Sequence, residues 1–198
     1  FQDNSTVQSK LLTPQQTVSL RVRVQALAHN RIDLLSATTS LYPARITTAL
    51  FVHALRDPIS GRPRAWGLQR LIQGTPAETP QGWIAASDTY TPTCQQQFLA
   101  CLTSWWREAT IAGQQPHLCT FGMGTLRLLR ESVAASAVST GLEALQLPEC
   151  HTDLQRLLQQ HFALPLPLEI TLAAAAQLWG LTPTLTVPQE LLQDAEQE

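Results

Sequence analysis

The chain has 198 residues, 44% of them hydrophobic, enough to build the core of one domain without disulfide or metal staples. Only 14% are charged, against roughly a quarter in an average soluble domain, and the formal net charge is -2. This balance excludes broad electrostatic attachment to nucleic acid or to an anionic membrane and leaves only a local, weak nucleic-acid contact. So sparse a charge also points to a surface covered in part by a protein partner or by missing parts of the same chain. The longest apolar runs, such as Leu172 to Ala176, are too short to span a bilayer, and no charged-then-apolar leader opens the chain. A cytoplasmic protein with no membrane partner is therefore expected. Residues 1–13 are polar and read as a flexible segment or tag remnant, and residues 14–198 read as a single domain with a helical C-terminal part, within a fragment of a longer chain.

From Pro14 to Asn30, apolar positions such as Val18, Val22 and Leu27, with a proline suited to a first turn, predict a helix whose Arg21 and Arg23 form a solvated face. A connecting stretch, Arg31 to Ala44, leads to a β-branched and apolar run, Arg45 to Pro58, that predicts a buried strand. The turn formers between Asp57 and Pro63 make a hairpin with a second strand, Arg64 to Gln73. After the polar break Gly74 to Gln81, the run Gly82 to Ser87 completes a three-stranded antiparallel meander.

The pattern then turns helical. Thr91 is placed to cap a helix that starts at Pro92 and runs to Gly113, with Phe98, Leu102, Trp105 and Ala109 on one face. Trp105 and Trp106 are expected in the core rather than as a stacking platform for bases. Pro116 to Phe121 predicts a fourth strand, Met123 to Ala135 a helix, and the order implies that this strand joins the sheet by a helical crossover, parallel to the first. Beyond the small-residue segment Ser136 to Gly141, helices are expected over Thr152 to Phe162, Leu168 to Trp179 and Pro188 to Ala195. The four cysteines, Cys94, Cys101, Cys119 and Cys150, make no Cys-x-x-Cys pair and lie at no zinc-ligand spacing, so buried free thiols are expected.

Several stretches taken in order carry a resemblance. Leu50-Phe51-Val52 followed by Asp57-Pro58, a second strand bearing Trp66-Gly67, a helix with Trp105-Trp106, and Pro116-His117-Leu118-Cys119-Thr120-Phe121-Gly122 come first. His151 to Leu158, Leu164-Pro165-Leu166-Pro167 and Leu172 to Leu181 follow. This series resembles the RNase H-like, DEDD-type exonuclease domain of RecB-like nucleases, over most of the chain from about residue 14. The resemblance implies an α/β fold with an RNase H-like core: a three-stranded antiparallel meander, then α-β-α, with additional C-terminal helices.

It also implies carboxylates at set positions, where they would hold two divalent metals for phosphodiester hydrolysis. Here His53 stands in place of the first acid, Leu55 in place of the second, and Gly122 in place of the acid after the aromatic residue. Asp153 matches the aspartate that opens the family's Asp-Leu helix, and the last acidic motif would lie beyond Glu198. The implied reading is a degenerate domain that needs no cofactor and acts as a scaffold or interaction module, possible nucleic-acid contact being weak.

Two alternatives stay open. One is an active nuclease using magnesium or manganese, with relocated ligands among Asp57, Asp88 and Asp153 or with residues beyond Glu198; the other is an unrelated α/β protein-binding subunit. Asp57, before Pro58, reads first as a turn residue. A transition-metal cluster of His53, His117, His151 and Asp153 is the remaining metal candidate, since imidazole suits softer ions than magnesium.

Overall fold

The computed structural model describes residues 13–35, 45–135, 150–166 and 170–178. The helix predicted over 188–195 and the small-residue segment 136–141 lie outside these residues. The first helix, α1 (Pro14–Ala28), opens with a capping box: the Thr13 hydroxyl accepts from the Gln16 N–H, and the Gln16 side chain accepts from the Thr13 N–H. Two two-residue strands, β1 (Asp33–Leu34) and β8 (Phe162–Ala163), pair antiparallel and form a small ribbon against which α1 packs. Their length leaves no periodicity to read, so the sequence reading treats β1 as a connection.

The main sheet is built on β2 (Thr48–Arg56), which pairs antiparallel with β3 (Pro63–Ile72). The far edge of β3 pairs with β4 (Thr75–Pro76) and β5 (Gln81–Ile84), both antiparallel. On its other edge β2 takes β6 (Pro116–Thr120) in parallel, and β6 takes β7 (His151–Asp153), also in parallel. The fold is mixed α/β, with the antiparallel meander and the parallel crossover both present as expected. Helices α2 (Thr91–Ile111) and α3 (Met123–Ala135) flank β6 in sequence.

Alternation along β2 assigns its faces. Leu50, Val52 and Ala54 join Phe98 and Leu102 of α2 and Leu126 of α3 in one buried cluster. Trp66 and Trp83 pack on Phe98, stacked at 6.4 Å and edge-on at 5.7 Å between centroids. Trp105 and Trp106 are buried, as expected, and the Arg70 guanidinium lies 5.2 Å from the Trp105 ring centroid. Arg70 also pairs with Glu78 and Glu108, tying β3 to α2. A second, smaller cluster gathers Leu158 of α4 (Leu154–His161), Phe162 of β8 and Ala175 and Leu178 of α5 (Leu172–Leu178).

Four sequence readings need correction. Residues 152–153 extend β7 rather than starting a helix, because Thr152 and Asp153 take up register with Cys119 and Thr120 and the helix begins only at Leu154. Helix α5 starts at Leu172, leaving Ile170 and Thr171 outside it, while Leu168, Glu169 and Trp179 of the predicted helix lie outside the described residues; the Thr171 hydroxyl accepts from the Ala174 N–H and caps it. At α2 the cap is Tyr90, without a side-chain hydrogen bond, and the Thr91 hydroxyl instead donates to the Ser87 carbonyl at 3.4 Å. Arg23 is half-buried rather than fully solvated: its guanidinium donates to the carbonyl of Gln159 near the end of α4, one of the acceptors a helix terminus leaves without an internal partner. The four thiols are free, with Cys119 and Cys150 buried, and burial pushes the Cys119 thiol up to about 12.

Candidate functional site

The parallel strands end side by side. Val52 is level with Thr120, and Thr120 with Asp153. Gly122 comes two residues after Thr120, just beyond the paired end of β6. The topology thus brings positions 53, 55, 122 and 153 to the same end of the sheet.

His53 is half-buried on the face of β2 away from the main core, directly opposite Gly67. Its Nδ1 is buried without a hydrogen-bond partner among the described residues, and burial holds the imidazole below its ordinary value of 6.5. It is a neutral ring at neutral pH. Leu55, on the same face, is 51% exposed, and the ladder slips between Leu55 and Arg56, where Arg64 of β3 is left out of the pairing.

Gly122 has φ +84, a left-handed conformation that favours glycine. Its N–H donates to Asp153 Oδ1 at 2.9 Å, and a Cβ there would stand 2.9 Å from Gln155 Oε1. The same Asp153 oxygen accepts from the backbone N–H groups of Gln155 at 3.0 Å and Arg156 at 3.3 Å. Asp153 is therefore the N-cap of α4 and at the same time a tie between β6 and β7. The sequence reading missed Gln155, whose Nε2 donates to the Ile170 carbonyl at 2.9 Å and so braces the segment leading to α5. Nothing in a lone glutamine signals that.

The other candidates stand apart. Asp57 is a turn residue: its Oδ1 accepts from the N–H groups of Ser60 and Ile59, and these bonds, more than the Arg64 guanidinium, hold its carboxyl below the usual range. It lies 57 − 52 = 5 residues beyond the level of Asp153, about 16 Å along the strand. Asp88 pairs with Arg62 at 2.6 Å and with Arg64 at 3.3 Å, on the side of the hairpin turn. Asp57 and Asp88 thus meet through Arg64, and neither reaches Asp153.

The histidines do not converge. His151 is in register with Leu118, so it projects to the opposite face from His117. His117 shares a face with His53, but its register partner is Ala49, 53 − 49 = 4 residues earlier, about 13 Å along the strand. Each is occupied locally: His117 Nε2 shares a 2.8 Å hydrogen bond with Thr152 Oγ1, and His151 Nε2 a 2.9 Å bond with Thr120 Oγ1. Burial, assisted by Arg130 and opposed by Asp153, holds His151 below 6.5.

The residues at the strand ends do not fit a magnesium pair. Leucine and glycine side chains supply no oxygen, and the Asp153 Oδ1 already accepts three amides. Among the described residues, no group of three or more His, Cys, Asp or Glu side chains could hold a metal ion. No helix among them is long and apolar enough to cross a membrane. No protein-family model, curated protein or solved structure matches the chain.

Proposed function

We propose that this chain is an RNase H-like, exonuclease-like domain that no longer hydrolyses phosphodiesters and acts as a scaffold or interaction module in a nucleic-acid-processing assembly. The observation that carries the reading is the register across the parallel strands. In the strand order β5-β3-β2-β6-β7, with the first pairings antiparallel and the last two parallel, positions 53, 55 and 122 come to the same end of the sheet, and the resemblance calls for acids at these positions. A neutral imidazole, a leucine and a glycine occupy them, so these positions lack the charge that two-metal chemistry requires.

The fold therefore offers surface rather than catalysis. A low density of charge and a half-buried sheet face bearing Phe51, His53 and Leu55 suit contact with a protein better than contact with a phosphate backbone.

The test is hydrolysis of labelled single- and double-stranded DNA and RNA by the full chain with magnesium or manganese. No metal-dependent cleavage is expected, and millimolar metal should leave the melting temperature unchanged, because a site present only in the folded state would raise it. Cleavage that disappears in Asp153→Asn would overturn the reading and favour an active nuclease with relocated ligands.

A further inference from the structure

In a chain of which only 14% is charged, the outward face of α3 gathers positive charge. Met123, Arg127 and Arg130 recur at i, i+4 and i+7 and all are exposed, Met123 at 59%. That spacing sets them in one stripe, about 10 Å long. The opposite side of the helix, with Leu126 and Leu129, is buried in the core. Arg56 joins the stripe from the end of β2: its guanidinium and that of Arg127 each take one oxygen of Glu131, at 2.7 and 2.9 Å. Arg130 is in no ion pair among the described residues. Burial, with help from Arg130, holds His151 below its ordinary value, which puts this guanidinium toward β7. Three arginines thus share one acid, a local surplus of two positive charges on a surface that runs from β2 across α3 to β7.

We propose that this stripe docks an acidic segment of a partner protein, with carboxylates set against Arg127 and Arg130 and an apolar side chain against Met123. The proposal rests on the reading of the chain as an interaction module and names the chemistry of what it would hold. Charge complementarity carries it, since a guanidinium fork matches a carboxylate and the pair with Glu131 shows Arg127 already oriented for one. Arginine and methionine are also the side chains that protein interfaces favour, and the thioether adapts to an irregular apolar partner. A phosphate backbone is the poorer occupant. It carries a charge about every 3.4 Å along each strand and would meet Glu131 beside the arginines, whereas a peptide can set a neutral residue opposite that acid. A second copy is poorer still if the same stripes meet, because Arg127 and Arg130 would face their own counterparts.

The test is fluorescence anisotropy with the full chain at about 50 mM salt, where surface charge is weakly screened. The probes are a labelled peptide of about ten residues with glutamates and one leucine at helical spacing, its counterpart with glutamines, and a single-stranded DNA. No divalent metal is present, so failure to bind strikes the docking site alone and leaves the hydrolysis experiment to judge the wider reading. The glutamate peptide should bind at least about tenfold more tightly than the glutamine one, and Arg127→Ser with Arg130→Ser should remove that advantage. Met123→Ser should weaken it by about threefold. Glu131→Gln should tighten it by about threefold, because Arg56 and Arg127 lose the carboxylate they now share. That gain separates docking from a purely structural role of the arginines, and denaturation midpoints check that each variant is folded. Equal binding of the two peptides, indifference to the arginine pair, or weaker binding by the Glu131 variant would overturn the proposal. So would tighter binding of the DNA through the same arginines, which would assign the stripe to nucleic acid.

Discussion

The two faces of β2 are made from alternate residues of one nine-residue strand, yet they obey different constraints. One face, Leu50, Val52 and Ala54, is sealed under α2 and α3 in an apolar cluster, and the buried Thr48 hydroxyl at its start is bonded to Gln114. The other, Phe51, His53 and Leu55, grades from half-buried to 51% exposed and ends in a bulge. Packing alone accounts for the first face. It does not account for the second, where a histidine whose buried nitrogen has no partner among the described residues sits opposite a glycine. The contrast separates what holds this fold from what the fold is available to do.

The sharpest way to break the contrast is truncation on each face. Leu50→Ala, at a fully buried site, should destabilise by about 2–5 kcal/mol in chemical denaturation, the range for buried leucines. Leu55→Ala, on the outer face, should cost about 0.5 kcal/mol or less, as surface changes do. Equal losses would mean that the outer face is covered in solution.

At the strand ends, Asp153→Ala removes the N-cap of α4 and the acceptor for the Gly122 N–H, and should cost about 1–2 kcal/mol by the same measurement. Gly122→Ala should cost about 1 kcal/mol, mainly through the left-handed backbone, since the Gln155 side chain that a Cβ would meet can swing aside.

The smallest effect is on pH dependence. The folded chain holds His53 and His151 below 6.5, chiefly by burial, so below that value the unfolded chain binds more protons on these rings than the folded one. Stability contributed by the neutral rings is complete above the ordinary histidine value and falls as pH drops through 6.5 toward the folded values. His53→Gln should flatten that fall between about pH 7 and pH 5, as read from denaturation midpoints. An unchanged slope would place the effect elsewhere.

What the sequence made legible follows from where its signals are strong. The meander, the crossover and α3 rest on long apolar runs and dense turn formers, and their order and pairing are as read. Strand β7 is only three residues long and runs straight into α4, so its Thr152-Asp153 reads as the helix's start until the register with β6 is known. Helix α1 was legible as an element, but which of its apolar residues face the ribbon was not. At the strand ends the residues could be named in advance; their occupations could not. A hydrogen bond from His151 to Thr120, or three amides on one oxygen of Asp153, depends on pairings between segments about 30 residues apart.

That last arrangement bears on how other chains of this kind should be compared. Aspartate at position 153 has a conformational job, joining the end of one strand to the entry of a helix, that is indifferent to whether any substrate is cut. Selection for folding alone would keep it. Its recurrence in a set of sequences would thus mark the architecture and carry no information about activity.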